Sequence, residues 1–236
     1  MNFEEKLKTE ALSVGVELDE TALARFKKYY EMLIDYNTRM NLTAITQEDE
    51  VIVKHFCDCL CLVAKVEIPH SAKVIDVGTG AGFPGIPLLI ARPDVKLTLL
   101  DGLNKRLVFL KDVLDALGLE AEIVHSRAEE ASQQALYREK YFLATSRAVA
   151  RQSVLSEYCL PYTEVGGIFV AMKGPQAAEE LKEAEGALKI LGGKVENVLE
   201  YTLSDESSRS LIITKKVSKT PAKYPRHNSK IKSKPL

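Results

Sequence analysis

Lys73-Val-Ile-Asp76-Val-Gly78-Thr-Gly80-Ala-Gly82-Phe-Pro-Gly85-Ile-Pro87 is the stretch on which the fold turns. A short apolar run ends in a carboxylate at Asp76, four glycines follow, and an apolar segment from Ile86 to Ala91 comes next. The pattern predicts strand, turn, helix. Glycine lets a turn take positive φ and lets a ligand lie against bare backbone. Pro84, with φ already near the helical value, suits the first turn of the next helix, whose free N–H groups point at whatever occupies the turn.

Two classes of ligand use such a turn. Gly80-Ala-Gly82-Phe-Pro-Gly85 is a formal G-x-G-x-x-G, and Asp101 follows about 20 residues on, as in a nicotinamide dinucleotide site. The other unit is Asp76-x-Gly78-x-Gly80-x-Gly82, with its carboxylate two residues before the first glycine. An acid there would repel a pyrophosphate but can face the ammonium end of S-adenosylmethionine, so the methyl donor is favoured.

At 236 residues with 46% apolar content the chain suits one large α/β domain with an appendage. It has no apolar run of membrane-spanning length, and Met1-Asn-Phe-Glu-Glu-Lys6 lacks the basic and apolar regions of a signal peptide. A soluble, cytoplasmic protein away from membranes is therefore expected. Cys57, Cys59 and Cys61 alternate and Cys159 is remote, a spacing unlike the paired ligands of a zinc site, so reduced thiols and no metal are expected. The net charge of −1 conceals an asymmetry, because residues 215 to 236 carry eight lysines and arginines with no acid, leaving −9 on the rest. Such an end can track phosphates, or it can be a solvated terminus. Pro221, Pro225 and Pro235 are expected to keep it out of regular helix.

Amphipathic helices are predicted over 3–14 and 20–37, the second capped by Asp19. A loop, 40–45, leads to a helix that Thr46 could cap. On it Ile52, His55, Phe56, Cys59, Leu60 and Val63 share one face, which makes His55 a core histidine rather than a catalytic one. These helices form an N-terminal cap, residues 1–68, on a core of 69–216, with 217–236 as a basic tail. In the core, strands at 73–77, 95–101, 121–125, 141–146 and 167–173 alternate with helices that include 84–92, 103–117 and 176–191, which implies a mostly parallel sheet. Strands near 194–203 and 209–216 are joined by a link too short for anything but antiparallel pairing. The expected fold is α/β, Rossmann-like, with seven strands of which one is reversed.

In open sheets ligands collect outside the carboxyl ends of the strands, near the switch point. That rule nominates Asp76 and Gly78 with Gly80 and Gly82 after strand one, Asp101 for the ribose hydroxyls, and Arg127-Ala128-Glu129 for the adenine. Strand four delivers Ser146-Arg147-Ala148 and strand five Lys173-Gly174. Phe83 or Pro84 would shape the donor pocket.

Asn41-Leu-Thr-Ala-Ile45, His55-Phe56 with Asp58, the 76–87 stretch, Asn104-Lys-Arg106, Arg127-Ala-Glu129, Arg147-Ala-Val-Ala150 and Tyr224-Pro-Arg226 occur in order. Together they resemble the bacterial glucose-inhibited division protein B family, over nearly the whole chain. The resemblance implies a class I methyltransferase that uses S-adenosylmethionine to methylate guanine N7 in 16S ribosomal RNA, free or in a small-subunit precursor. It also implies that Gly78, Phe83, Ala128, Glu129 and Arg147 touch the cofactor. Met40, Cys59, Gly102 and Phe142 depart from the family's usual residues, and the tail lacks the Gly and Pro usual after Tyr224-Pro-Arg226. Arg147 and Lys173 are the candidates for orienting the base, and Asn41, Lys173, Lys223 and Arg226 for contacting RNA. A monomer is expected.

Guanine N7 has a free lone pair and no proton, so its methylation needs no general base, and none is evident. The Asn/Asp-Pro-Pro-Tyr/Phe segment of exocyclic amine methylation is missing after strand four, where Thr145-Ser-Arg-Ala148 stands. Cys159 falls inside a predicted helix, away from the place of a nucleophile for pyrimidine C5. Two rivals are a non-catalytic RNA-binding assembly factor, using the basic tail, and an NAD-dependent oxidoreductase, for which no hydride-transfer residues are apparent.

Overall fold

The apolar runs of the core form seven strands in the computed structural model, which describes residues 1–236. They are β1 Lys73–Val77, β2 Lys96–Asp101, β3 Glu122–His125, β4 Tyr141–Arg147, β5 Thr163–Lys173, β6 Gly193–Thr202 and β7 Ser208–Lys216. The sheet order is β3-β2-β1-β4-β5-β7-β6, with β1 to β5 parallel and β7 antiparallel to both β5 and β6. The chain thus leaves β1 toward β2 and β3, then crosses back to β4, which makes the β1/β4 boundary the switch point. The reversed strand is last in sequence yet lies one place inside the edge.

Strand alternation sorts the core into two faces. Val74, Leu97, Leu99, Leu143 and Val170 face the N-terminal helices, whereas Ile75, Val77, Ala144, Phe169 and Ala171 face the other side. The first face is covered by α1 Phe3–Ser13, α2 Glu20–Met40, α5 Gly85–Ala91 and α6 Asn104–Leu117. Asn2 closes a capping box with Glu5 at the start of α1, and Asp19 accepts from Ala22 N–H at 2.7 Å to start α2. Phe26, Tyr29 and Phe56 are fully buried, and Tyr29 stands 5.5 Å from the Phe83 ring, centroid to centroid. An aromatic column therefore joins the N-terminal helices to the glycine loop within a single apolar cluster.

The helix expected after Thr46 is built in three pieces. Gln47, not Thr46, stands at the N-cap position of α3 Glu48–Val51 without a side-chain cap, a π-helical segment Ile52–Cys57 follows, and α4 runs Asp58–Lys65. Within the π segment His55 is only partly buried beside the fully buried Ile52 and Phe56, and such π segments are frequent at functional sites. The opposite face of the sheet carries α7 Ala128–Ala131, α8 Gln152–Cys159 and α9 Ala177–Ile190.

The basic tail, expected to stay out of regular helix, forms α10 Asn228–Ser233. Its prolines lie outside those six residues, and Ile231 is completely buried among the side chains of the second face. All four cysteines are free and buried. No helix is long and apolar enough to cross a membrane.

Candidate active site

The loop after β1 is held from below by backbone bonds. Gly78 and Thr79 N–H both donate to Leu100 C=O, at 2.8 and 3.1 Å, and Gly80 N–H donates to Asp101 Oδ2 at 3.0 Å. Gly78, Gly80 and Gly82 all take positive φ. A Cβ on Gly80 would meet nothing nearer than Gly78 O at 4.0 Å, so its open side faces empty space. Above it lies a cavity of about 500 Å³, lined by Gly78 to Ala81, Phe83, Asp101, Ala128, Glu129 and Arg147.

Asp101 is almost fully buried and already receives Leu103 N–H at 2.8 Å and Arg106 Nη1 at 3.3 Å. A carboxylate oxygen can accept more than one donor, so Asp101 can still take hydroxyls from the cavity. Glu129 is also buried, at the start of α7. Arg106, Arg127, Arg147 and Lys232 line the same space, so cations outnumber the acids Asp101 and Glu129 and the mouth suits a polyanion.

Arg147, at the end of β4, is fixed by residues far away in sequence. Its Nη1 donates to Asp58 Oδ2 at 2.9 Å and to Lys54 C=O at 3.1 Å, while Nη2 donates to His55 Nδ1 at 3.1 Å. The guanidinium also lies 4.8 Å from the Phe83 ring centroid, a cation–π distance, and the His55 ring stacks on the same phenyl at 4.5 Å. Nδ1 also lies 3.2 Å from Lys54 C=O, but a guanidinium can only donate, which assigns the His55 proton to Nε2, 2.9 Å from Thr43 Oγ1. Burial and the nearby Arg147 push the imidazole down to about 3, so it is neutral at pH 7. A second hollow, also about 500 Å³, shares His55 and Arg147 to Ala150 with the first and is further lined by Lys54, Asp58, Lys173, Glu180 and Arg209.

Three expectations are corrected. Asp76 does not face the cavity: it is wholly buried under the loop, where Oδ2 accepts from Thr79 Oγ1 at 2.7 Å and Gly85 N–H at 2.9 Å. Its Oδ1 has no partner, and burial raises the carboxyl to about 6. It ties the loop shut rather than greeting a ligand. Gly82 likewise faces inward, since a Cβ there would strike Ile86, Tyr29 Oη and Leu110 at 2.7 to 2.9 Å. Arg226 is withdrawn from solution by Glu157, which accepts its Nε at 2.9 Å and Nη2 at 2.6 Å.

Lys173 lines only the second hollow, with its ammonium on Glu180 and Ala150 C=O, both at 2.7 Å. Asn41 and Lys223 are exposed and line neither space. Sequence reasoning set His55 aside as core and missed Thr43, Leu103, Val149, Tyr158, Asn228 and Lys232 as cavity walls. For Arg106 a signal did exist, five residues after Asp101 in the first turn of the helix that follows β2.

This strand order, with a glycine loop after β1, an acid ending β2 and a cavity above the switch point, is the Rossmann-like architecture that methyltransferases use. Solved structures agree on the fold: TrmN from Thermus thermophilus superposes with a TM-score of 0.54 at 14% identity, covering 70% of this chain and 53% of that one. The [4+2]-cyclase SpnF reaches 0.54 at 10% identity, covering 69% of this chain and 82% of its own, so the fold by itself leaves the reaction open. Sequence is more specific. The family model described as GidB, rRNA small subunit methyltransferase G, matches residues 22–211, and the chain belongs to that family. The Ribosomal RNA small subunit methyltransferase G of Alkaliphilus metalliredigens is 47% identical over 98% of this chain and 97% of its own. That of Clostridium perfringens strain 13 is 43% identical over the full length of both.

Proposed function

We propose that the protein transfers a methyl group from S-adenosylmethionine to N7 of a guanine in 16S ribosomal RNA, in the bacterial cytoplasm. The residues present fit the donor: an open loop at Gly80, an acid with spare acceptor capacity at Asp101, and a closed end at Ala128 and Glu129. Bound there, the donor would supply a methyl group on a sulfonium. The adjoining hollow beyond Arg147 is the place for the acceptor base.

The observation that carries this reading is the state of His55. It is the only cavity residue whose ordinary range lies near neutrality, and both its ring nitrogens are engaged, by Arg147 and Thr43. A site whose one histidine is held neutral and engaged at both nitrogens suits an acceptor atom that has no proton to lose. The protein's part is then positional. Arg147, clamped by Asp58 and His55 and backed by Phe83, orients what lies between the two spaces, and the walls exclude water; such positioning is worth about 7 to 11 kcal/mol in favourable cases. The basic mouth draws in the RNA backbone.

The test uses 16S ribosomal RNA and small subunits from cells lacking the gene, incubated with labelled S-adenosylmethionine and the purified protein. Label should appear at guanine and create a site of borohydride and aniline cleavage, the mark of 7-methylguanosine. Label on another atom, or none on either substrate, overturns the assignment.

A further inference from the structure

We infer that the C-terminal helix α10 is part of the methyl-donor site, with Asn228 and Lys232 closing the end of the cavity that takes the adenine. This rests on the reading given above. The cavity runs from the glycine loop past Asp101 to Ala128 and Glu129, so its far end is the place for the purine. That end abuts α8, where Tyr162, just beyond the helix, donates its hydroxyl to Ala128 C=O at 2.6 Å. Tyr158, one turn earlier, lines the cavity and donates to Asn228 Oδ1 at 2.8 Å. Asn228 and Lys232 line the same space.

The helix is anchored, not loosely draped. Glu157, next to Tyr158, keeps only 1% of its side chain exposed and accepts Arg226 through the backbone N–H, Nε and Nη2. Arg226 Nη1 reaches forward to Lys234 C=O at 3.0 Å, bracing α10 from its far end, and Ile231 is fully buried. With Oδ1 taken by Tyr158, the Asn228 amide nitrogen has no protein partner. A purine offers ring nitrogens that accept, and an amide N–H₂ and a lysine ammonium are donors only. The positive end of the chain thus serves the cofactor.

The test is calorimetry on the full chain with S-adenosylhomocysteine and with 5′-methylthioadenosine, which lacks the amino-acid end. The variants are Asn228→Ala with Lys232→Ala, which leaves the Glu157–Arg226 pair and buried Ile231 intact, and Ile231→Asp, which undocks the helix. Both ligands should bind about tenfold more weakly, by the same factor, which corresponds to the loss of one or two hydrogen bonds. Binding of a 16S RNA fragment to the cofactor-free protein, read by filter retention, should change by less than about twofold for Asn228→Ala alone, which removes no charge. Unchanged affinity for S-adenosylhomocysteine in both variants overturns the inference, as does weakened RNA binding with cofactor affinity intact. Wild-type protein that binds neither adenosyl compound overturns the methyl-donor reading itself, and the inference with it.

Discussion

The loop after β1 and the segment after β4 wall the same cavity, yet opposite means hold them. Residues 78 to 85 are secured by their own backbone, through bonds to Leu100, Asp101 and Asp76, all within the one β1-α5-β2 unit. Arg147 is secured by its side chain, through Lys54, His55 and Asp58, residues 89 to 93 positions away. A backbone-held loop tolerates change on its open side and none on its packed side. A side-chain-held residue depends on each of its distant partners.

The sharpest way to break this contrast is to place valine at two glycines of one loop. At Gly82 the new side chain would strike Ile86, Tyr29 and Leu110 in a left-handed conformation, φ 102°. Overpacking and strain together should cost more than about 4 kcal/mol, read as collapse of the urea midpoint. At Gly80, φ 63°, there is space, so only the conformational cost of about 1 to 2 kcal/mol applies. The branched side chain would nevertheless stand in the donor's place and abolish binding of S-adenosylhomocysteine. Equal stability losses at the two positions would mean that the packed and open sides have been misassigned.

Next in size is Asp58→Ala. Asp58 also accepts Tyr201 Oη at 2.8 Å, so it bolts β4 and β6 to the start of α4. Removing it strands a guanidinium that is only 13% exposed, at a cost of about 3 kcal/mol. Methyl transfer should fall with it, and Asp58→Asn, which keeps one acceptor, should recover part of both losses. A fully active, fully stable Asp58→Ala protein would show that Arg147 needs no clamp.

What could be read from the chain beforehand follows the same division. The strand–turn–helix at 73–91, the strand periods and the antiparallel link at 204–208 depend on neighbouring residues, and all appear in the fold. Asp101 was legible because its strand end is a topological position. The direction of the Asp76 carboxylate was not, because two acids at adjacent strand ends differ only in which side of the loop they reach. The Glu157–Arg226 pair, 69 residues apart, converts an apparent polyelectrolyte tail into a docked helix, and neither partner's neighbours announce the other. The π-helical segment that delivers His55 has an ordinary helical pattern in sequence, and only packing against Phe83 and Arg147 gives its widening a purpose.

The smallest expected effect is on pH dependence, and here the two regions pull in opposite directions. His55, held by the side-chain clamp, has its folded pKa lowered from 6.5 to about 3, so its stability contribution is complete above pH 6.5 and drains away toward pH 3. Asp76, sealed under the loop, is raised from 3.8 to about 6, so its contribution is complete below pH 3.8 and is lost as pH rises through 6. Between about pH 7 and 4.5 the two partly offset each other. His55→Gln should therefore lose less stability than wild type on acidification over that interval, and Asp76→Asn should lose more, measured as the change in urea unfolding free energy between the two pH values. Parallel slopes in all three proteins would remove the electrostatic difference between the loop and the clamp, leaving burial of His55 and Asp76 without thermodynamic consequence. A crossing in the stated order ties each slope to its own region, because the two residues hydrogen-bond to separate partners, Arg147 and Thr43 for one and Thr79 and Gly85 for the other.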